Sequence, residues 1–136
     1  MPHDTDLHRL DVVHVEGDAY AVDVRGHRVL VDQPRSAGGA DTAPTPVELF
    51  AASLGACVAF YAGRFLHRHG LSRDGLQVRT EFVMGDRPAR VESLRVVVVP
   101  PPGFPAERRD ALLAVASHCT VHTTLRRAPG VDIELG

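Results

Sequence analysis

The sequence predicts an α+β fold, and three observations carry that expectation. Residues 8–32 alternate apolar and polar side chains with a period of two, as half-buried strands do. Residues 46–69 carry a long apolar stretch with helical spacing. Strand and helix patterns then follow in blocks, without the regular strand–helix alternation of a parallel sheet. The expected order is β-β-β-α-β-β-α-α-β, in one domain spanning 1–136.

The segments "LDVVHV", "AYAVDV" and "HRVLVD" are rich in β-branched residues and are separated at Gly17-Asp18 and Arg25-Gly26-His27. Those separators suit hairpin turns, so the first third reads as an antiparallel meander. "QPRSAGGADTAP" collects Pro, Gly, Ser and Asp and reads as a surface loop. Thr45, Pro46 and Glu48 then form a capping-box start, and Gly70 supplies a left-handed stop. "LQVRTEFVM" and "ESLRVVVVP" are two more strands joined by "GDRPAR". "PAERRDALLAVASH" is an amphipathic helix entered at Pro105, with Ala111, Leu112, Val115 and Ala116 on one face. A short helix starts near Cys119, and "VDIEL" is expected to close the chain as a strand.

Composition is that of an ordinary globular domain: 44% hydrophobic, 24% charged, with a formal net charge of −2. That balance gives no electrostatic footprint for nucleic acid or an anionic membrane. All 15 basic residues are Arg, which genome-wide composition accounts for without a role in anion binding. The longest uncharged run, Leu49 to Gly63, falls short of the roughly 18 residues needed to span a bilayer. The N-terminus "MPHDTDLHRL" lacks an apolar leader, and two cysteines suit a reducing setting, so a cytoplasmic location is expected.

Within the long helix, Phe50, Leu54, Cys57 and Tyr61 form one stripe, and Ala52, Ala56, Ala59 and Gly63 form another made only of small residues. Small side chains allow close helix approach. The approaching helix could belong to the same chain or to a second copy. Cys57 sits mid-helix among apolar neighbours, which favour a neutral thiol unless a cation lies near. Cys119 sits at a helix start, where free N–H groups favour an anion, so local physics makes it the better thiolate. His118, Cys119 and His122 also raise a zinc reading, with Cys57, His67 or His69 as further ligands. One Cys-x-x-His pair is a weak metal signal, and no metal or cofactor is expected.

"PTPVELFAASLGAC", followed by "HCTVHTTL", resembles the OsmC/Ohr superfamily of small thiol peroxidases and their relatives. "VRGHRVLVDQPRSAGGAD" and the order of elements resemble its OsmC-like branch, so the likeness covers roughly residues 15–135. The resemblance implies an intertwined homodimer in which antiparallel sheets wrap long central helices and active sites form between subunits. It places the peroxidatic cysteine at Cys57 and the resolving one at Cys119. The family's peroxidases pair a Glu with an Arg that activates the first cysteine. The matching position here is Val47, with Glu48 beside it. Arg35 is the best-placed Arg, with Arg25 and Arg28 as alternatives. The second motif reads C-T-V-H where C-P-x-S is usual, and His122 could serve as base or donor. The implied function is reduction of organic hydroperoxides, with an external dithiol restoring the thiols. The alternative is a non-catalytic relative that binds a small apolar ligand or senses oxidants.

Overall fold

A computed structural model describes residues 7–136, with antiparallel sheets and one long helix. The chain comprises two compact units that meet in sequence between Leu49 and Phe50.

The first unit is a three-stranded meander. Strands β1 (Asp11–Glu16), β2 (Ala19–Val24) and β3 (His27–Val31) pair antiparallel in the order β1-β2-β3. The β2–β3 turn places Arg25 at φ 48° and Gly26 at φ 80°, the left-handed pair that a two-residue hairpin demands. Gly17 opens the β1–β2 turn at φ 55°. A register shift between His14 and Glu16 leaves Val15 as a bulge in β1. Across the hairpin Arg28 donates to both Asp23 oxygens at 2.8 and 3.0 Å.

The loop after β3 is built around Asp32, which is fully buried. Its carboxylate accepts from the Gln33 N–H at 2.7 Å, the Thr42 N–H at 3.1 Å and the Thr42 hydroxyl at 2.6 Å. These bonds, led by the Thr42 hydroxyl, hold its pKa below the ordinary aspartate value. The Asp32 N–H donates to Pro44 and the Asp41 N–H to Gln33, which ties the loop shut. Gly39 packs so closely that a Cβ would collide with the Gln33 carbonyl.

Helix α1 (Pro46–Arg68) begins with the expected capping box. Glu48 N–H donates to the Thr45 hydroxyl at 3.0 Å and Thr45 N–H to the Glu48 carboxylate at 2.8 Å. Its far end is a Schellman stop: Gly70, at φ 68°, donates to His67 and Leu71 donates to Leu66.

The second unit packs α1 from Phe50 onward with strands β4 (Gln77–Gly85) and β5 (Arg90–Val99) and helices α2 (Arg109–Ala116) and α3 (Thr120–Arg126). Val78, Thr80 and Phe82 of β4 pair with Val98, Val96 and Leu94 of β5. The core comprises Leu54, Val58, Ala62, Phe65, Leu66, Leu112, Ala116 and Cys119, with Val78, Leu94, Val96 and Val98 against it. Each large side chain so buried contributes about 1.5–3 kcal/mol. A Cβ on Gly55 would collide with the Thr80 side chain, so Gly55 lets the helix lie close on β4. By length and composition α1 could cross a bilayer, but Leu54, Val58, Phe65 and Leu66 are spent on this core.

Several expectations are corrected. "VDIEL" is not a strand; Ile133 is 93% and Leu135 101% exposed, because a strand forms only against an available edge and this segment pairs with none among the described residues. The helix after Pro105 opens as a 3-10 turn, Ala106–Arg108. Of its expected face Leu112 and Ala116 are buried, whereas Ala111 and Val115 are exposed. On α1 the small stripe divides: Gly63 is buried near Arg73, while Ala52 and Ala56 face outward with Phe50 and Phe60. Among the described residues no helix covers those two alanines.

Candidate functional site: two cysteines between α1 and α3

The second unit brings the two thiols together. Cys57 is half-buried on α1, and Cys119 is completely buried at the N-cap of α3. Both are free, and Cys57 packs against the core cluster that contains Cys119. The pair is close enough that Cys57 influences the Cys119 thiol.

The helix-start position of Cys119 favours a thiolate, and its burial acts against one. Its sulfur does accept from the His122 N–H at 3.4 Å, as a helix-start thiol can. Burial nevertheless outweighs this and pushes the Cys119 thiol up, with the Cys57 sulfur adding to the rise. Cys57 is the more accessible of the two residues.

A hydrogen bond fixes the helix that carries Cys119. Tyr61, one turn beyond Cys57 on α1, lies with its hydroxyl 3.0 Å from the Thr120 hydroxyl. His122 Nδ1 donates to the Ser117 carbonyl at 2.8 Å, which leaves Nε2 as the acceptor of the neutral ring. His118 Nδ1 likewise donates to the Ala114 carbonyl at 2.6 Å, and His69 Nδ1 to the Phe65 carbonyl at 2.8 Å. Among the described residues no three His, Cys, Asp or Glu side chains converge as a metal site would require.

Beside α3 lies an apolar cavity of about 400 Å³. Leu54, Val58, Leu94 and Val96 form part of its wall, and Ser117 and His122, which flank Cys119 in sequence, supply polar groups. Sequence reasoning missed this cavity, because its walls come from α1, β5, α2 and α3 and share no local pattern.

The remaining candidates lie in the first unit. Glu48 is committed to the capping box. Arg35 is exposed and opens the 3-10 turn Arg35–Ala37, inside the loop that Asp32 organises. Asp32 was also missed; its only sequence signal was an Asp leading a loop rich in Gly and Thr. Of the alternatives to Arg35, Arg28 is engaged by Asp23 and Arg25 forms the hairpin turn.

A family model for the OsmC-like protein matches residues 38–134, from the loop glycines through both cysteines. The chain belongs to the OsmC-like family. Solved structures give the same answer for the fold. An osmotic stress induced and detoxification response protein from Psychrobacter arcticus superposes with a TM-score of 0.80 at 17% identity, covering 90% of this chain and 91% of that one. An organic hydroperoxide resistance protein from Legionella pneumophila gives 0.63 at 21% identity, over 90% and 92%. An OsmC-like protein from Mycoplasma pneumoniae gives 0.69 at 14% identity, over 92% and 91%. No curated protein matches this chain significantly. At these identities the likeness establishes the OsmC-like fold, and the chemistry must be argued from the residues present.

Proposed function

We propose that this OsmC-like protein is a thiol peroxidase for organic hydroperoxides, acting as one domain in a homodimer. The observation that carries the reading is the packing of a half-buried Cys57 against the core cluster that holds a fully buried Cys119. The Cys57 thiolate attacks the terminal oxygen of ROOH; the O–O bond breaks, ROH leaves after protonation, and Cys57 becomes a sulfenic acid. Cys119 then gives up its proton and attacks the Cys57 sulfur, forming a disulfide and releasing water. An external dithiol reduces the disulfide, becomes oxidised itself and returns both thiols.

Arg35 is the cation assigned to stabilise the Cys57 thiolate and the departing oxygen, and Glu48 is assigned to orient it. His122 takes the role of base toward Cys119: its Nδ1–H is spent on Ser117, so Nε2 is free to accept a proton. The apolar cavity suits the hydrocarbon part of the substrate. The need for a dithiol suits a reducing, cytoplasmic setting.

Alcohol production from an alkyl hydroperoxide in the presence of excess dithiol tests the reading. Cys57→Ser is expected to abolish turnover, and Cys119→Ser to leave one fast oxidation that traps a sulfenic acid at Cys57. Arg35→Ala is expected to slow that first oxidation without unfolding the chain, since Arg35 is exposed on a loop. The same cavity favours a second reading, a non-catalytic protein that binds a small apolar ligand. Such a protein would bind its ligand equally well as Cys57→Ser and would produce no alcohol.

A further inference from the structure

Helix α3 has few anchors. It is seven residues long and buries none of them; Val121 packs partly on the core, and the capping Cys119 is the fully buried residue at its start. The Tyr61–Thr120 hydrogen bond is the polar tie between α3 and α1 that the structure gives. Its two ends are close in sequence to the two cysteines: Tyr61 is one helical turn past Cys57, and Thr120 directly follows Cys119. The Tyr61 ring packs against the same core cluster as Cys57 and meets Phe60 edge-on at 5.5 Å, so its hydroxyl is held from behind.

We propose that Tyr61 and Thr120 are positioning residues that latch α3 to α1 and hold the Cys119 sulfur in reach of Cys57. The inference rests on the peroxidase reading for its biological use, but its physical content is the effective concentration of one thiol at the other. When Cys57 is a sulfenic acid, attack by Cys119 forms the S–S bond, the sulfenic oxygen leaves as water, and the proton it needs comes from the Cys119 thiol. A latch that restricts α3 raises the rate and the equilibrium yield of this step by removing orientations in which the sulfurs cannot meet. Thr120 provides the hydroxyl that the proline of the usual C-P-x-S motif could not.

The test uses no hydroperoxide. The full chain is equilibrated in glutathione redox buffers, and the Cys57–Cys119 disulfide is quantified by thiol alkylation and mass. Tyr61→Phe and Thr120→Val are each expected to lower the equilibrium constant for the disulfide by about fivefold, the size expected for one hydrogen bond. Thr120→Ser is expected to return it to within about twofold of wild type, and Tyr61→Phe/Thr120→Val to be no worse than the weaker single variant, since both remove the same bond. A merely structural role would destabilise reduced and oxidised chains alike and leave this equilibrium unmoved. An unchanged constant in Tyr61→Phe and Thr120→Val, or losses that multiply in the double variant, would overturn the latch. If wild type forms the disulfide in buffer and the variants weaken it, yet no hydroperoxide is reduced, the latch stands and the peroxidase reading falls. If wild type forms no intramolecular disulfide at all, both fall.

Discussion

Two single side chains here are shifted in opposite directions, Cys119 upward by burial and Asp32 downward by its hydrogen bonds. Burial pushes the Cys119 thiol up, so its folded pKa lies above the ordinary cysteine value of about 8.5. A raised acid contributes stability that is complete below the unfolded pKa and is lost as pH rises toward the folded one. The reduced protein should therefore melt earlier above about pH 8.5, and Cys119→Ala should flatten that alkaline slope. Thermal melts under reductant, compared across pH 7 to 10, check this. Asp32 behaves in the reverse sense, because the Thr42 and Gln33 bonds depress its pKa. Its contribution is present above about pH 4 and disappears as pH falls through the lower folded value. Amide protection at Gln33 and Thr42 should collapse on acidification, whereas Asp32→Asn should be weak at neutral pH already. The two cysteines were legible from their motifs. Asp32 was not, because its significance lies in bonds to Gln33 and Thr42, the latter ten positions away.

Among the elements, local chemistry was legible wherever it acts alone. The Arg25-Gly26 hairpin, the Thr45–Glu48 capping box and the Gly70 stop each depend on residues a few positions apart, and each forms as expected. Legibility failed where the deciding neighbour is remote. Of the face expected on α2, Leu112 and Ala116 are buried, whereas Ala111 and Val115 are exposed. Gly55, invisible as a packing residue in the sequence, proves to be where α1 meets Thr80 of β4. Gly55→Ala adds helix propensity of nearly 1 kcal/mol, yet overpacking should outweigh it and leave a net loss of about 1–2 kcal/mol. Urea unfolding measures the difference, and Thr80→Ala in the same chain should recover most of it.

At the scale of the whole molecule, the exposed apolar features gain a common explanation in a second copy. Ala52, Ala56, Phe50 and Phe60 share the outward side of α1, and Val131, Ile133 and Leu135 alternate on an unpaired tail. The proposed homodimer would cover the small stripe, so Ala56→Leu should be tolerated by the single chain but break the dimer. Sedimentation at micromolar concentration would show the change, and a monomeric wild type would rule the dimer out. The central claim, that Cys57 and Cys119 form one redox pair, is tested most directly by thiol counting. Addition of one equivalent of an alkyl hydroperoxide to the reduced protein should consume both thiols within seconds and leave a single Cys57–Cys119 disulfide. Loss of neither thiol faster than free cysteine reacts would contradict the account, as would oxidation of Cys119 before Cys57.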